Sequence, residues 1–345
     1  MKKKATMQLI ADELNISKSL VSKALSNAHG VSEETKRKVI LTANQLGYKT
    51  NSSVMKVTSS KTGTVALLVT KEDMTDLEYW GKVINGIEDE LSKNFFSLIL
   101  SAIDTVQPTS KGIPSCISER KVDGAIIMGR VKSTFVHAIH LTGIPVILVD
   151  SDNVDKLRLD HVLADNFGGG VEAATYLIQN NHRSIGFVGD TSYSLSFRER
   201  YRGFTQAVSD YNHDVDGEKV ICTHVTDKLE DEQIPFSTTQ FEHVLKSDHV
   251  PSALFCANDP TAFTVLGMMN KYGLRCPEDI SIISFDNIDK CNWTNPRLTS
   301  IDACKQTMGR RAVEMLLRRM EQRDLRPECI MMTTQIYERD SVIPQ

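Results

Sequence analysis

Polar side chains that follow short apolar runs are the first residues of this 345-residue chain that could carry chemistry. Asp150 directly follows the run VILV, Asp286 follows ISIISF, and Asn258 and Asp259 come just after ALFC. Aliphatic runs of this kind are typical of parallel strands buried on both faces, and ligands bind beyond the carboxyl ends of such strands. Carboxylate and amide oxygens there would accept hydrogen bonds from the hydroxyls of a polyol, so these four residues are candidate ligand contacts.

A second group of polar side chains lies near the N-terminus, on a segment with helical periodicity. Val21, Ala24 and Leu25 form the apolar stripe of a predicted helix over Lys18–Leu25. The opposite face carries short hydroxyls and flexible cations, namely Lys18, Ser19, Ser22 and Lys23. The major groove of DNA admits one helix and rewards donors aimed at base edges and phosphates. The pattern therefore favours a DNA-recognition helix, and the alternative is the solvated face of an ordinary helical bundle.

Two further helices are predicted beside this one. An apolar stripe precedes it, and Asn15 stands where a tight turn between helices needs a left-handed backbone. Ser17 is the predicted N-cap of the second helix, and Ser32 that of a third helix that ends at Gly47. The segment thus predicts a three-helix head of the helix-turn-helix type.

Catalytic and metal-binding constellations are not favoured by the sequence. His137 and His140 are spaced like a ligand pair, but no carboxylate motif or third ligand accompanies them. The glycines at 168–170 lack the Lys-Ser/Thr of a phosphate-binding loop. The seven cysteines are odd in number, scattered and without a C-x-x-C spacing, which is typical of reduced thiols. We therefore expect no enzyme activity, no cofactor and no metal.

From residue 63 onward, short apolar strands alternate with amphipathic helices in two successive series. The predicted strands are 64–69, 96–101, 124–128 and 146–149 in the first series, and 185–188, 253–256 and 280–285 in the second. Helices are predicted around 168–180, 198–211 and 261–272. Two such series indicate two doubly wound parallel-sheet lobes, with a ligand cleft between them.

The charge of the chain is unevenly distributed. Residues 1–60 hold ten Lys/Arg against four Asp/Glu, whereas the rest of the chain holds 30 against 40. A basic head on an acidic body is typical of nucleic-acid binding confined to one end. No apolar run is long enough to span a membrane and no secretory signal is evident, so we expect a cytoplasmic protein.

The chain resembles the lactose/galactose repressor (LacI/GalR) family along nearly its whole length. The pattern T-M-x-x-I-A-x-x-L-N-I-S-K-S-x-V-S-K-A-L-S begins at Thr6, and V-S-E-E-T-K-R-K-V follows it. Later matches keep the family's order: V-D-G-A-I-I at 122–127, D-N-F-G-G-G at 165–170, R-E-R-Y-R-G-F at 198–204, A-N-D at 257–259 and P-E-D-I-S-I-I-S-F-D at 277–286. Lys23 stands where the family usually has Arg, so the operator sequence does not carry over from relatives.

The resemblance implies an all-α helix-turn-helix head on an α/β periplasmic-binding-protein-like core of two doubly wound parallel-sheet lobes. In the implied organisation the chain crosses between the lobes three times, and a last helix at 307–322 returns to the first lobe. The expected boundaries are a head at 1–47, a hinge at 48–62, an N-terminal lobe at 63–164 and 291–326, and a C-terminal lobe at 165–290 and 327–345.

The resemblance also implies site residues. The expected DNA contacts are Thr6, Ser17, Lys18, Ser19, Ser22, Lys23 and Asn27, together with Val57, which stands where the family's hinge inserts an apolar side chain into the minor groove. Arg200 matches the family's ligand-binding arginine, and Tyr79 and Trp80 match an aromatic pair near the ligand. Phe197 is a further stacking candidate. These four residues join Asp150, Asn258, Asp259 and Asp286 as the expected effector site.

The function that the resemblance implies is sequence-specific transcription regulation, in the sense of a repressor. A homodimer would bind a near-palindromic operator duplex, and a small effector, expected to be a sugar or sugar derivative, would control its affinity. One alternative is a carbon-control regulator whose main signal is a phosphorylated carrier protein. A sugar-transport protein or a sugar-modifying enzyme is the other alternative, disfavoured by the missing signal peptide and the missing catalytic constellation.

Overall fold

The computed structural model describes residues 6–25, 30–46, 61–103, 112–151, 158–225 and 237–345. The chain divides into two compact units, Met1–Thr62 and Gly63–Gln345. The predicted hinge at 48–62 lies outside the described residues except for its last two positions.

The first unit contains three short helices, α1 (Met7–Leu14), α2 (Lys18–Leu25) and α3 (Glu33–Gln45). Asn15 ends α1 with a φ of 54°, in the left-handed region that the interhelical turn was expected to need. The Ser17 hydroxyl accepts a hydrogen bond from the backbone N of Leu20 at 3.1 Å and so caps α2. Seven residues of the three apolar stripes are buried against one another: Ile10, Ala11, Val21, Ala24, Leu25, Val39 and Ala43. The predicted helix-turn-helix head is confirmed.

The second unit alternates strands and helices. Up to residue 164 its elements are β1 (Thr64–Thr70), α4 (Trp80–Lys93), β2 (Ser97–Ile103), α5 (Ser115–Ser118), β3 (Gly124–Met128), α6 (Ser133–His140), β4 (Val146–Val149) and β5 (Asp160–Ala164). Up to residue 302 there follow α7 (Asn166–Gln179), β6 (Ser184–Val188), α8 (Leu195–Asp214), β7 (Ile221–His224), α9 (Thr238–Leu245), β8 (Ala253–Cys256), α10 (Asp259–Lys271), β9 (Ser281–Asp286) and β10 (Thr299–Asp302). The last elements are α11 (Lys305–Glu321), β11 (Cys329–Met332) and β12 (Gln335–Tyr337).

These strands form two six-stranded sheets, one in each lobe. The first has the order β11-β5-β4-β3-β1-β2 and the second the order β12-β10-β9-β8-β6-β7. Among the described strands, β12 is the one that pairs antiparallel, against β10. The central strands β3, β4, β8 and β9 are buried at every position, as expected where helices cover both faces of a parallel sheet. Two doubly wound parallel-sheet lobes were predicted, and this fold class is confirmed.

The chain crosses between the lobes at places that differ from the expected boundaries. Strand β10 pairs in parallel with β9, Thr299 opposite Ile283, so it belongs to the second lobe rather than to the first. Strand β11 pairs in parallel with β5, so it belongs to the first lobe, and β12 then returns to the second sheet. The boundaries at 290 and 326 were therefore wrong, because long-range strand pairing and not the local sequence decides which sheet a four-residue strand joins.

Pairs of glycines allow two helix pairs to touch backbone to backbone. In the first lobe, a Cβ on Gly309 of α11 would lie 2.2 Å from the backbone O of Val83 in α4. In the second lobe, a Cβ on Gly203 of α8 would lie 2.0 Å from the backbone O of Phe167 in α7. Helix α8 carries the candidate site residues Phe197 and Arg200, so this contact fixes their distance from the second sheet.

We therefore expect Gly203→Ala to destabilise the protein by about 1–3 kcal/mol, because the two helix backbones must move apart. Urea unfolding followed by circular dichroism measures the effect. The matched control is Gly267→Ala on α10, where a new Cβ meets no atom within 4 Å. The control should be neutral or stabilising by up to about 1 kcal/mol, since alanine is the better helix former. Equal losses in both variants would contradict the close contact.

Candidate functional site

The outer face of α2 presents the donors that a DNA-reading helix needs. Lys18, Ser19, Ser22 and Lys23 are all exposed, while Val21 and its apolar neighbours are buried behind them. Ser17 is also exposed, and its hydroxyl lies 2.9 Å from that of Ser19. The first six residues of α2 thus present two hydroxyl groups and two ammonium groups to solvent.

Of the three other expected DNA contacts, the structure describes only Thr6. Thr6 is exposed, and its hydroxyl accepts a hydrogen bond from the backbone N of Leu9 at 3.3 Å, which makes it the N-cap of α1. Asn27 and Val57 lie outside the described residues.

Asp150 lies at the end of β4 and connects the two lobes of the core. Its backbone has a φ of 45°, and its carboxylate accepts a hydrogen bond from the Tyr79 hydroxyl at 2.7 Å. The Ser196 hydroxyl donates to the other carboxylate oxygen at 3.1 Å. Tyr79 precedes α4 of the first lobe, whereas Ser196 lies in the first turn of α8 in the second lobe. The carboxylate of Asp150 is therefore held from both sides of the cleft.

Arg200 of α8 is buried and uses all three nitrogens of its guanidinium group. Its Nε donates to Asn166 at 2.9 Å, Nη1 to the backbone O of Ala257 at 2.6 Å, and Nη2 to the Asp286 carboxylate at 3.2 Å. The guanidinium carbon lies 3.6 Å from the centroid of the Phe285 ring. A charge this deeply buried needs a partner and hydrogen bonds, and each of the three nitrogens of Arg200 makes one such bond.

Asp150, Asp286, Arg200 and Tyr79 lie close enough together to act on one another electrostatically. The charges of Asp150, Asp286 and Arg200 all act on the Tyr79 phenol, whose pKa is raised well above its usual value, mainly by burial. The phenol therefore stays protonated at neutral pH and donates a hydrogen bond to Asp150. Burial raises the pKa of the Asp286 carboxyl to about 7, although Arg200 opposes the shift. The site thus contains one carboxyl group that titrates near neutrality.

The aromatic candidates are packed rather than exposed. Tyr79 and Trp80 meet edge to face, with ring centroids 4.8 Å apart, and Trp80 is part of the hydrophobic core. Phe197 is also in this core and lies 5.1 Å from the ring of Tyr193. The guanidinium of Arg130, at the end of β3, lies 3.8 Å from the centroid of that Tyr193 ring. The rings of Tyr79, Trp80 and Phe197 are therefore buried in the core of the second unit rather than open for stacking.

Asp259 was expected to contact the effector, but its side chain is not accessible. It is fully buried, and its carboxylate accepts hydrogen bonds from Ser300 at 2.6 Å, from the backbone N of Ile288 at 2.8 Å and from Ser284. Its carboxylate oxygens are therefore occupied by protein groups that tie β9, β10 and α10 together. Asn258 is half-buried and caps α10 through a hydrogen bond from the backbone N of Thr261 at 3.0 Å. Capping occupies only the Oδ1 atom of Asn258, so its role as an effector contact stays a prediction.

Three residues that reach across the lobe boundary were missed by the sequence analysis. They are Ser196, Arg130, whose Nη1 donates to the backbone O of Tyr193 at 3.0 Å, and Lys305, whose Nζ donates to the backbone O of Asp286. Ser196 lies one turn before Arg200, but the helix was predicted to begin only around residue 198, whereas it begins at Leu195. Arg130 and Lys305 follow strands that only the sheet order brings to the cleft.

The head and the core together define a class of protein: a DNA-binding regulator whose second unit is a two-lobed ligand-binding fold. Residues 6–51 match the family described as "Bacterial regulatory proteins, lacI family", and residues 174–342 match the "Periplasmic binding protein-like domain". No helix in the described part of the chain is both long and apolar enough to cross a membrane.

Individual relatives agree with these matches. The HTH-type transcriptional repressor PurR of Pasteurella multocida is 26% identical over 340 residues, covering 98% of each chain. The lac repressor dimer bound to operator and the anti-inducer ONPF is 19% identical, with a TM-score of 0.68, covering 99% of this chain and 100% of its own. A LacI family regulator of Enterococcus faecalis with bound ribose is 26% identical, with a TM-score of 0.66, covering 82% and 99%.

The chain thus combines a helix-turn-helix domain of the lacI family of bacterial regulatory proteins with a periplasmic-binding-protein-like domain. It is a helix-turn-helix transcription regulator with a small-molecule-binding core, and the curated relatives are repressors and not enzymes.

The titration of Asp286 should be visible in the stability of the protein. Its folded pKa of about 7 lies above the ordinary 3.8, so folding binds a proton and lower pH favours the folded state. Relative to Asp286→Asn, we expect the wild-type Tm to rise by roughly 2–4 °C as the pH falls from about 8 to about 6. Differential scanning calorimetry measures the difference.

The matched control for this titration is Asp289→Asn, a nearby carboxylate with 63% of its side chain exposed. The control should keep the wild-type pH dependence. A wild-type curve parallel to that of Asp286→Asn over this range would show that Asp286 does not titrate there.

Proposed function

We propose that the chain is a homodimeric repressor whose affinity for a near-palindromic operator is controlled by a sugar or sugar derivative bound between its lobes. The observation that carries the effector part is the convergence of hydrogen-bonding groups from both lobes on Asp150. A polyol that replaced Ser196 or Tyr79 at this carboxylate would contact both lobes at once. The bound ribose of the Enterococcus faecalis relative supports this class of ligand.

The chemistry of the site suits hydroxyl groups. Asp150 supplies acceptors. A ligand hydroxyl could replace the present acceptors of the Tyr79 phenol and of Arg200 Nη2, which donate to Asp150 and Asp286. Vicinal hydroxyls of a sugar act as donor and acceptor together, so they match such mixed groups. The guanidinium carbon of Arg200 lies 5.8 Å from the centroid of the Phe197 ring, so this ring is close to the polar groups although it is buried.

The effector acts through its different affinity for two arrangements of the lobes. In the described structure, Ser196–Asp150 and Lys82–Asp289 join the lobes, the latter at 2.6 Å. A ligand that forms its own bonds to Asp150 and Arg200 changes the balance of these contacts, and the lobes respond by changing their angle. The effector is therefore a switch only to the extent that its bonds differ between the two arrangements.

The spacing of successive major grooves in an operator favours a homodimer. One α2 presents about one helical turn of donors, which is enough for a single half-site, and two heads are needed for two successive major grooves. Sedimentation of the full chain should therefore show a dimer at the concentrations at which it binds DNA.

The DNA-binding part is tested by Lys18→Ala/Lys23→Ala, with an operator selected from random duplexes. We expect weaker binding, and a slope of log affinity against log salt that is smaller in magnitude by about 2, since each lysine neutralises about one phosphate. The matched control is Lys93→Ala on α4, which removes a surface cation of the core that pairs with Glu90. Fluorescence anisotropy at several salt concentrations measures the slope. An unchanged slope would exclude this face from the contact with DNA.

The effector part is tested by Arg200→Lys, because a lysine cannot reproduce three directed contacts of a guanidinium group. A panel of pentoses, hexoses and their phosphates is first screened on the wild type by thermal shift, where a true ligand raises the Tm. Calorimetry should then show an affinity for that ligand that is lower by about ten-fold or more in the variant.

The matched control for this variant is Arg198→Lys, two residues earlier on α8, where 54% of the arginine side chain is exposed. It should bind the sugar as the wild type does. If no sugar shifted the wild-type Tm while a phosphorylated carrier protein bound the core, the carbon-control alternative would replace the sugar effector.

A further inference from the structure

Lys305, the first residue of α11, is a buried lysine that no expected function uses. Only 3% of its surface is exposed, although lysine is almost never buried without partners. Its Nζ donates to the Asp302 carboxylate at 2.9 Å and to the backbone O of Asp286. The same ammonium lies 5.9 Å from the centroid of the Tyr79 ring. Lys305 therefore lies among the groups of the effector site, although it is not one of the expected contacts.

The ammonium group connects one lobe to the other. Helix α11 moves with the first lobe, because its backbone touches α4 at Gly309 and at Gln306, whose backbone O a Cβ on Gly86 would meet at 2.0 Å. Asp286 and Asp302 are the last residues of β9 and β10 in the second lobe. Between Asp302 and Lys305 the chain crosses the lobe boundary through only two residues. A change of the angle between the lobes must therefore change the position of Nζ relative to Asp286.

Asp286 needs this support because its backbone is strained. Its φ is 105°, in a region that residues other than glycine rarely adopt, which turns its carbonyl and its carboxylate in directions that an extended strand would not give. Lys305 holds the carbonyl, and Arg200 holds the carboxylate at 3.2 Å. The two cations thus fix two ends of the same residue from different lobes.

We propose that Lys305 is a positioning residue: it holds Asp286 from the first lobe and so makes effector affinity depend on the angle between the lobes. This inference rests on the proposed function, since it assumes that Asp286 contacts the effector.

The charged groups that face Asp286 provide a specific readout. They are Arg200 on α8, Asp259 on α10, Lys305 on α11 and Asp150 at the end of β4. Both cations lower the pKa of the Asp286 carboxyl, which burial raises. Removing the charge of Lys305 must therefore raise that pKa further, whereas a residue that only packed the crossover would leave the titration where it is.

The chain offers a matched control in Lys82 of α4. This lysine also joins the lobes, through Asp289 of the second lobe at 2.6 Å, but one third of its side chain is exposed, at 33%. It makes no described bond to Asp286. Lys82→Met and Lys305→Met therefore remove the same charge from the same boundary, and only the second removes a contact to Asp286.

The experiment measures the unfolding of the full chain between pH 5.5 and 9 for the wild type, Asp286→Asn, Lys305→Met and Lys82→Met. Subtracting the Asp286→Asn curve isolates the titration of Asp286. We expect its midpoint to move to higher pH in Lys305→Met and to stay in place in Lys82→Met. A midpoint that coincides in Lys305→Met and the wild type would overturn the proposal. If Lys305→Met does not fold, Lys305→Gln removes the same charge and carries the same expectation.

A second measurement separates this proposal from the proposed function. Calorimetry with D-ribose, D-glucose and D-galactose is compared between the wild type and the two lysine variants. For whichever sugar binds the wild type, affinity should fall by about ten-fold or more in Lys305→Met, as for the loss of a charged hydrogen bond, and by less than about five-fold in Lys82→Met, which removes a partly exposed pair. Equal affinities in both variants would refute the positioning role. If the wild type binds none of them, these three sugars are excluded as effectors, while the pH measurement still decides whether Lys305 acts on Asp286.

Discussion

The buried ion pair between Arg200 and Asp286 is the interaction on which the core depends. Burying two charges costs several kcal/mol per ion, and the pKa of Asp286, raised to about 7 by burial although Arg200 lowers it, indicates that the pair recovers only part of this cost. Asn166, the carbonyl of Ala257 and the face of Phe285 complete the shell of the guanidinium. These partners come from the first residue of α7, from the residue after β8 and from the end of β9, so the pair requires that these three positions meet at one edge of the second sheet. The close contact of α7 and α8 at Gly203 fixes the distance of Arg200 from that edge.

Much of this arrangement could be predicted from the sequence because it depends on local patterns. The stripes of α1, α2 and α3 and the aliphatic runs of the central strands fix helix and strand by period alone. Asp150, Arg200 and Asp286 were expected at strand ends or on α8, and the structure brings them within electrostatic reach of Tyr79. The position of each of these residues is set by the strand that it ends or follows or by the helix in which it lies.

The failures have a common physical reason, which is that the deciding partner is remote in sequence. Asp259 and Asp286 both follow a buried strand, but Asp259 is turned inward by Ser284 and Ser300 on two other strands. Strands β10 and β11 are four residues each, too short for periodicity to assign them to a sheet. Lys305 reads as an ordinary lysine in the first turn of a helix, and only the crossover from β10 places its ammonium beside Asp286.

The contacts that join the lobes differ in strength, and the difference decides how the core can respond to a ligand. The pair Lys82–Asp289 is largely exposed, and pairs of this kind contribute about 0–1 kcal/mol. The bond from Ser196 to the carboxylate of Asp150 is partly buried and chemically equivalent to a bond from a sugar hydroxyl, so a ligand can replace it at little net cost. Lys305 is buried, and hydrogen bonds to charged groups contribute about 1.5–3 kcal/mol. A ligand that competes for Asp150 therefore exchanges the replaceable contact, whereas the buried contact of Lys305 with Asp286 resists a change of the angle between the lobes.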